Sequence, residues 1–430
     1  MKLISINLEN YRGVHCLEMP LDNKLTVLTG SNGSGKTTIL DAVAILLSWI
    51  TARTRSLKGS GRSLSEKQIQ NGMKAAKISA VGATPQPIHW QLVKVRPGQK
   101  VDITTDMTEL KKFILQLRDN ITESDELCSI PLFAYYPVNR AVLDIPLRIR
   151  IAHNFQLLEA WDNSLTSAAN FKAFFEWFRQ REDLENENRT YLESQNKPEG
   201  WEFPDRQLNA VRHALSEFLP EFSDFKVRRK PLRMTVFKKG EELNVEQLSE
   251  GEKCMIALVG DLARRLAIAN PTSSSPLAGD GIILIDEFDL HLHPLWQRWM
   301  LRLLPQIFTN CQFIVTTHSP QAIGEVNAEQ LRVLYRNKEN QICFKQPAQS
   351  YGLSSDEILD EIMLEEGQEE QLARTPKVNQ ALHEICKLID EEKFKQAQTE
   401  IDKLEASLNG DIPELLGARV RMQMLGWENE

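Results

Sequence analysis

The pattern of apolar and polar residues predicts an α/β fold that opens with a strand, a glycine-rich loop and a helix. Apolar and polar residues mostly alternate over residues 1–8, which is typical of a strand with one buried face. A second strand is predicted over residues 24–28, and from Lys36 onward apolar residues recur at helical spacing. The loop that begins at Gly30 therefore joins a strand directly to a helix.

Continuous apolar runs predict buried strands further along the chain. Residues 281–286 (GIILID) and 312–316 (QFIVT) have the composition of parallel strands that are covered on both faces. We expect these two strands to lie side by side. The other predicted strands are residues 77–82, 89–95 and 132–136, together with a basic hairpin over residues 225–237.

Helical patterns interrupt the strands and then replace them. Residues 145–222 are predicted to form a short helical insertion, in which phenylalanines between Phe171 and Phe178 make an apolar stripe. After about residue 350 the predicted strands end and amphipathic helices remain. We therefore predict one domain over residues 1–348 that contains the insertion, followed by a helical domain over residues 349–430.

Composition places the chain among ordinary globular proteins. Hydrophobic residues make up 42% and charged residues 26% of the chain, and the formal net charge of -8 gives no overall attraction to nucleic acid. The six cysteines are far apart, which favours free buried thiols in a reducing compartment. No run of roughly 18 apolar residues is present, so we expect a cytoplasmic protein without a membrane span.

Residues 30–37 (GSNGSGKT) match the phosphate-binding pattern G-x-x-x-x-G-K-[ST] at every fixed position. Backbone N–H groups of such a loop, and the helix that follows it, face phosphate oxygens, and Lys36 adds a cation. The Thr37 hydroxyl is suited to Mg²⁺. The loop therefore predicts a bound nucleotide and Mg²⁺, and the residues predicted to bind the nucleotide are Gly30, Ser31, Asn32, Gly33, Ser34, Gly35, Lys36, Thr37 and Thr38.

Two acidic residues end the predicted strand at residues 281–286. Asp286 is predicted to hold Mg²⁺, and Glu287 is the candidate general base for an attacking water. An isolated strand of this kind more commonly ends in solvated acids, but the phosphate loop favours the functional interpretation.

The segment LSEGE at residues 248–252 precedes an apolar helix. In isolation it is a good helix cap. At this position in the chain, Ser249 and the Gly251 amide are placed at a helix N-terminus that is suited to a γ-phosphate. The segment is therefore a candidate for a second nucleotide-binding motif.

Together the motifs NYRG, GSNGSGKT, LSEGE, IILIDEFDLHLHP and TTHSP resemble those of the SMC-related ABC ATPases. Within that group the chain is similar to the OLD-like, defence-associated branch, and most of all to the ATPase subunit of Septu-type antiphage systems. The segments FEWFRQREDLEN and YPVNR and the helical tail carry this second resemblance. It implies an ABC-type, SMC-like P-loop ATPase head with a mixed central sheet.

The resemblance also implies roles for individual residues. Lys36, Glu287 and His318 are the expected catalytic residues, His318 as a switch that contacts the γ-phosphate. Arg12 is expected near the adenine or ribose, and residues 136–140 in place of a Q-loop. Two subunits are expected to enclose each ATP, the second one supplying the signature residues Ser249, Glu250 and Gly251.

The function implied is that of an ATP-hydrolysing regulatory subunit in an antiphage defence complex. Its expected partners are further copies of itself and a separate HNH nuclease, with DNA bound through the complex. An alternative is a DNA repair or recombination ATPase that grips DNA directly through the basic residues 228–233 and 53–77. A transporter subunit is disfavoured by the NYRG start and the helical tail. That tail either docks another subunit or simply completes the ATPase fold.

Overall fold

The computed structural model describes residues 1–138, 155–166, 171–193, 197, 201–364 and 374–427. The chain divides into two compact units, Met1–Gly352 and Leu353–Glu430. All six cysteines are free, and Cys16 and Cys386 are exposed where burial was expected.

Thirteen strands and eleven helices are assigned in the described residues. The strands are β1 (Lys2–Tyr11), β2 (Val14–Pro20), β3 (Leu25–Gly30), β4 (Ala75–Ala83), β5 (Ile88–Val95), β6 (Leu132–Tyr136), β7 (Phe222–Arg229), β8 (Leu232–Lys238), β9 (Glu241–Asn244), β10 (Gly281–Ile285), β11 (Cys311–Thr316), β12 (Leu331–Arg336) and β13 (Ile342–Lys345). The helices are α1 (Lys36–Arg55), α2 (Thr108–Glu123), α3 (Phe171–Arg189), α4 (Arg206–Phe218), α5 (Glu250–Ala269), α6 (Pro294–Ile307), α7 (Pro320–Ile323), α8 (Ser355–Glu357), α9 (Pro376–Asp390), α10 (Phe394–Leu408) and α11 (Pro413–Met424).

A six-stranded mixed sheet forms the core of the first unit, in the order β13-β12-β3-β11-β10-β6. Its strands pair in parallel except β13, which is antiparallel to β12. Strands β3, β10 and β11 are buried throughout, because their apolar side chains are covered on both faces. The predicted α/β class, the mixed sheet and the pairing of β10 with β11 are confirmed.

A second sheet is antiparallel, in the order β2-β1-β4-β5. Helix α1 contacts strands of both sheets and is buried along most of its length. By length and composition α1 would suffice to cross a membrane, but 67% of its most apolar window is buried inside the fold. It is the core helix that carries the phosphate loop.

Within the predicted insertion, residues 145–222, the described part is helical. Helices α3 and α4 and a 3-10 turn at Leu157–Trp161 belong to it, whereas residues 145–154, 167–170, 194–196 and 198–200 lie outside the described residues. The phenylalanine stripe of α3 is fully buried, and it packs on α5 at Gly260, where an added Cβ would meet the Phe174 ring at 2.8 Å. The predicted basic hairpin is β7 and β8, extended by β9.

The second unit is helical throughout its described residues. Helices α9, α10 and α11 enclose an apolar core of their own, to which α9 and α10 each present an apolar face. That core contains Ile385, Leu388, Ile389, Ala397, Ile401, Leu404, Leu415, Ala418 and Met422. The predicted helical C-terminal region is confirmed.

Candidate nucleotide-binding site

The loop between β3 and α1 has the backbone of a phosphate cradle. Gly30, Gly33 and Gly35 have φ angles of 141°, 82° and 101°, which disfavour any residue with a side chain. A Cβ at Gly30 would meet the Leu334 carbonyl oxygen at 2.2 Å, and one at Gly35 would meet Ile342 Cδ1 at 2.9 Å. All three glycines are therefore favoured by conformation, and Gly30 and Gly35 also by the closeness of the neighbouring hairpin.

Lys36 begins α1 and folds back over the loop. Its Nζ donates hydrogen bonds to the carbonyl oxygens of Gly30 at 2.9 Å and Ser31 at 3.0 Å. Burial lowers the pKa of Lys36, and the nearby carboxylates of Glu287 and Asp286 oppose that shift. The ammonium group thus lies between the loop and the acidic end of β10.

The acidic pair is fixed by a threonine from the neighbouring strand. Asp286 is 1% exposed, and its Oδ1 accepts a 2.6 Å hydrogen bond from the Thr316 hydroxyl. The same Oγ1 accepts a 2.7 Å hydrogen bond from the Glu287 amide. Glu287 has a φ of 43°, so its backbone turns sharply where the strand ends. Thr316 therefore links both acids to the end of β11.

A cavity of about 220 Å³ brings eight of the predicted site residues together, whereas Gly30, Ser31, Ser34 and Asp286 are absent from its lining. Its lining consists of Gly13, Asn32, Gly33, Gly35, Lys36, Thr37, Thr38, Glu287, His318, Arg336 and Ile342. The phosphate loop, the candidate base and the candidate switch histidine thus face one space, although they are distant in sequence.

The electrostatics of this cavity, and unsatisfied polar groups in or next to the phosphate loop, suit a phosphate ligand. Burial and the charge of Lys36 lower the pKa of His318, so its ring is neutral at pH 7. The hydroxyl oxygens of Thr29 and Ser34 are buried with no hydrogen-bond partner. Such groups are costly to bury unless something else binds them. Together with the glycine cradle and Lys36, they fit ATP, while the Thr37 hydroxyl and the Asp286 carboxylate are oxygen ligands of the kind that Mg²⁺ prefers.

Arg12 is not among the residues that line the cavity. Its guanidinium pairs with Asp41 of α1, which also binds Arg62, and it lies over the Tyr11 ring. The predicted contact of Arg12 with the adenine or ribose therefore remains a prediction, whereas its neighbour Gly13 does line the cavity.

The predicted Q-loop segment begins where β6 ends. Strand β6 pairs with β10, and the Tyr136 carbonyl accepts a 2.9 Å hydrogen bond from the Asp286 amide. Residues 139 and 140 of that segment lie outside the described residues.

The candidate signature residues lie at the start of α5 and not on this cavity. Ser249 caps the helix in a capping box with Glu252, and Ser249 and Glu250 are exposed. Gly251 packs tightly, because a Cβ there would meet the His291 carbonyl oxygen at 2.4 Å. All three side chains are thus absent from the lining that contains Lys36.

The sequence patterns did not point to Arg336 or Ile342, which come from the hairpin of β12 and β13. The signal that could have predicted strand β12 is its mostly apolar sequence, which ends in an arginine. In DLHLHP, His291 and His293 lie two residues apart, and histidine is a common metal ligand. In the described part of the chain no group of three or more His, Cys, Asp or Glu side chains is arranged to hold a metal ion.

Among solved structures, the chain is similar to SMC head domains at low identity. An SMC head bound to the C-terminal winged-helix domain of ScpA aligns with 15% identity and a TM-score of 0.47, over 80% of this chain and 98% of the other. The SMC head domain from Thermotoga maritima aligns with 14% identity and a TM-score of 0.44, over 80% and 99%.

Sequence comparisons place the chain among known ATPases. A family model described as "AAA domain" matches residues 5–223, and a second AAA-domain model matches residues 140–324. The "Retron Ec83 probable ATPase" of Escherichia coli is 30% identical over all of this chain and 88% of its own length. The "Retron Vc95 probable ATPase" of Vibrio cholerae is 31% identical over 78% of this chain and 73% of its own.

A more local relative is the Septu protein PtuA of Bacillus thuringiensis, which is 32% identical over 40% of this chain and 44% of its own. The relation to retron ATPases extends over the whole chain and includes both the ATPase unit and the helical unit. This protein is therefore a member of the AAA-domain family of ATPases, related to those of retron and Septu systems.

Proposed function

We propose that this chain is the regulatory ATPase subunit of a cytoplasmic antiphage defence complex, which controls a separate HNH-type nuclease through nucleotide-dependent assembly. The observation that carries the ATP site is the convergence of the phosphate loop, Glu287 and His318 on one cavity. The retron and Septu names of its relatives support the defence context.

In this proposal, ATP is bound by the phosphate loop and by the Lys36 ammonium group. The backbone N–H groups of residues 30–37 and the Lys36 ammonium bind the β- and γ-phosphates. Thr37 and Asp286 would hold Mg²⁺, which when bound neutralises charge on those phosphates. The structure supports this assignment through the glycine conformations and the buried hydroxyl of Ser34, which has no hydrogen-bond partner.

Hydrolysis uses Glu287 and His318. Glu287 orients a water molecule and accepts its proton as the water oxygen bonds to the γ-phosphorus. The bond from that phosphorus to the bridging oxygen breaks, so ADP and inorganic phosphate leave. A neutral His318 can hydrogen-bond the γ-phosphate without adding a second cation beside Lys36. Thr316 holds the end of β10 in the orientation that this step needs.

Two copies enclose each nucleotide in this proposal. Ser249 and Gly251 start an exposed helix N-terminus that is absent from the lining of the cavity in their own chain. A second chain would place that N-terminus, with its free N–H groups, against the γ-phosphate. Residues 349–430 would supply further contacts between subunits or with the nuclease, and α11 there exposes Leu416, Val420 and Met424 at helical spacing.

The alternative function, direct binding of DNA by the basic hairpin, has less support from the structure than the regulatory function. Arg228 forms an ion pair with Glu242, and Arg229 pairs with Glu182 and Asp183. These ion pairs compensate two of the four basic residues at positions 228–233 on which that hypothesis depended. In this proposal DNA is bound by the assembled complex.

The ATPase chemistry is tested with two variants. Lys36→Ala should lose ATP binding, and Glu287→Gln should bind ATP but hydrolyse it at least 100-fold more slowly. A radiolabel filter assay measures binding, and phosphate release measures turnover. Hydrolysis unchanged in both variants would exclude the assigned roles.

Assembly is tested on the slow Glu287→Gln variant. Light scattering should show a larger particle with ATP than without it, and adding Ser249→Arg should abolish that increase. Lys253→Arg is the matched control, since Lys253 lies in the same first turn of α5 and keeps its charge. The nuclease partner is tested by co-expression with an HNH protein encoded beside this gene. Nuclease activity that does not depend on ATP, or a failure of the two proteins to co-purify, would refute the proposal that this chain regulates a nuclease.

A further inference from the structure

An arginine from the distant hairpin contacts the phosphate loop directly. Arg336 ends β12, and its Nη2 donates a 3.0 Å hydrogen bond to the Gly33 carbonyl oxygen, across 303 residues of sequence. Its Nη1 donates to the Asn340 carbonyl oxygen at 3.0 Å and to Oδ1 of the same residue at 3.3 Å. The guanidinium is thus held by its own hairpin while it reaches the loop.

The hydrogen bond from Arg336 fixes the orientation of the peptide that joins Gly33 to Ser34. In a planar trans peptide the carbonyl of Gly33 and the N–H of Ser34 point in opposite directions. Gly33 has a φ of 82° and open space around it, so its own packing restrains it little. By holding the carbonyl on one side, Arg336 orients the following N–H group, that of Ser34, which donates a 3.2 Å hydrogen bond to the Ser31 carbonyl oxygen. Arg336 thereby fixes the turn of the loop, whose other N–H groups are ligands of phosphate.

The hairpin also supports the loop by packing. Ile342 begins β13, and its Cδ1 lies 2.9 Å from the position a Cβ would take on Gly35 and 3.5 Å from the same position on Gly13. Strand β12 pairs in parallel with β3, where Leu334 is opposite Gly30. The hairpin therefore packs closely against three glycines of the site, Gly13, Gly30 and Gly35.

The charge of Arg336 is uncompensated within the described residues. No carboxylate there forms an ion pair with it, whereas Arg12 and Arg62 are both paired with Asp41. Arg336 lines the cavity together with Lys36 and is exposed. An exposed cation without an acidic partner, at the wall of a phosphate cavity, attracts a polyphosphate.

We propose that Arg336 is a nucleotide-positioning residue, which orients the phosphate loop through Gly33 and adds positive charge beside the bound polyphosphate. The proposal rests on the ATP site proposed above. It makes the β12–β13 hairpin part of the nucleotide site, in addition to the motifs that lie on β3, β10 and β11.

The test compares Arg336→Gln with Lys338→Gln. Lys338 is exposed on the same hairpin and is absent from the residues that line the cavity, so its variant removes equal charge at a nearby place. Dissociation constants for ATP and ADP are measured by equilibrium dialysis, KM and kcat by phosphate release, and Tm without nucleotide by calorimetry.

Arg336→Gln should raise the dissociation constant and KM for ATP about tenfold, as expected for a lost bond to a charged group, with kcat within twofold of the wild type. Arg336→Lys keeps the charge and one donor, so its KM should fall between those values. Lys338→Gln should match the wild type, and Tm of all three variants should stay within about 2 °C of it.

The proposal is overturned if Arg336→Gln binds ATP within twofold of the wild type, or if Lys338→Gln shifts KM equally. A fall in Tm of more than about 5 °C for Arg336→Gln also overturns it, because the hydrogen bond would then support the fold itself. Wild-type protein that binds no ATP would instead refute the proposed function. The two failures are therefore distinguishable.

Discussion

Replacement of Thr316 by valine is the sharpest test of how the acidic corner is held. Thr316 is fully buried, donates to Asp286 Oδ1 and accepts from the Glu287 amide. Valine has nearly the same shape but no hydroxyl. The change therefore removes two hydrogen bonds at the end of β10 while it leaves the loop and Lys36 untouched.

The magnitude follows from those two hydrogen bonds. A bond to a charged group contributes about 1.5–3 kcal/mol, and a buried amide left unsatisfied costs about 1–3 kcal/mol. Because the two bonds share one oxygen, their contributions do not add, and we expect a loss of about 2–4 kcal/mol in the free energy of unfolding.

The effect on catalysis should exceed the effect on binding. Glu287 has a φ of 43°, and a non-glycine residue keeps that conformation only where its surroundings enforce it. With its amide anchor removed, the carboxylate should leave the position from which it takes a proton. We expect kcat to fall about 10- to 100-fold, which corresponds to about 1.4–2.7 kcal/mol. KM for ATP should change less than about threefold.

Urea unfolding measures the stability change, and phosphate release under saturating ATP measures kcat. Thr26→Val is the matched control, because Thr26 is a buried threonine of β3 whose hydroxyl accepts a 2.9 Å hydrogen bond from the Asp22 amide. That variant should lose stability but keep kcat within twofold. If Thr316→Val keeps wild-type kcat, or if Thr26→Val loses kcat equally, Thr316 does not position the base.

Three further predictions follow from other parts of the site. Gly251→Ala should destabilise the protein by about 1–3 kcal/mol and abolish ATP-driven assembly, because its Cβ would overlap the His291 carbonyl; thermal unfolding and light scattering check this. Burial and Lys36 lower the pKa of His318, so the ring protonates only at a pH below the ordinary range of histidine; kcat/KM should fall there, and His318→Gln should lack that fall. Tyr136→Phe should cost about 1–3 kcal/mol in urea unfolding, since the buried Tyr136 hydroxyl donates a 3.1 Å hydrogen bond to Asp261; a neutral result would refute a structural role.

The local elements of this protein were predictable because their signals are local. The glycines at positions 30, 33 and 35 predict a loop conformation that other residues rarely adopt, and the helical spacing of apolar residues from Lys36 onward predicts α1. The apolar runs that became β10 and β11 are long enough to indicate strands covered on both faces. Each of these inferences needs only residues within a few turns or one strand of each other.

The partners of each element were less predictable, since pairing across hundreds of residues depends on the crossovers and register of the sheet. The pairing of Arg12 with Asp41 has no signal in the sequence, because it depends on α1 presenting that carboxylate beside β1. Thr316 looks like any strand threonine until β10 and β11 align in parallel and bring its hydroxyl to two acids.

The sequence by itself determined that the chain is a P-loop α/β ATPase with a helical C-terminal region, and it predicted which residues carry the phosphate chemistry. The tertiary structure decided what surrounds that chemistry. Only the parallel pairing of β12 with β3 brings Arg336 to the carbonyl of Gly33. The reason is physical: propensity and periodicity act over a few residues, whereas this contact exists only once the whole sheet has closed.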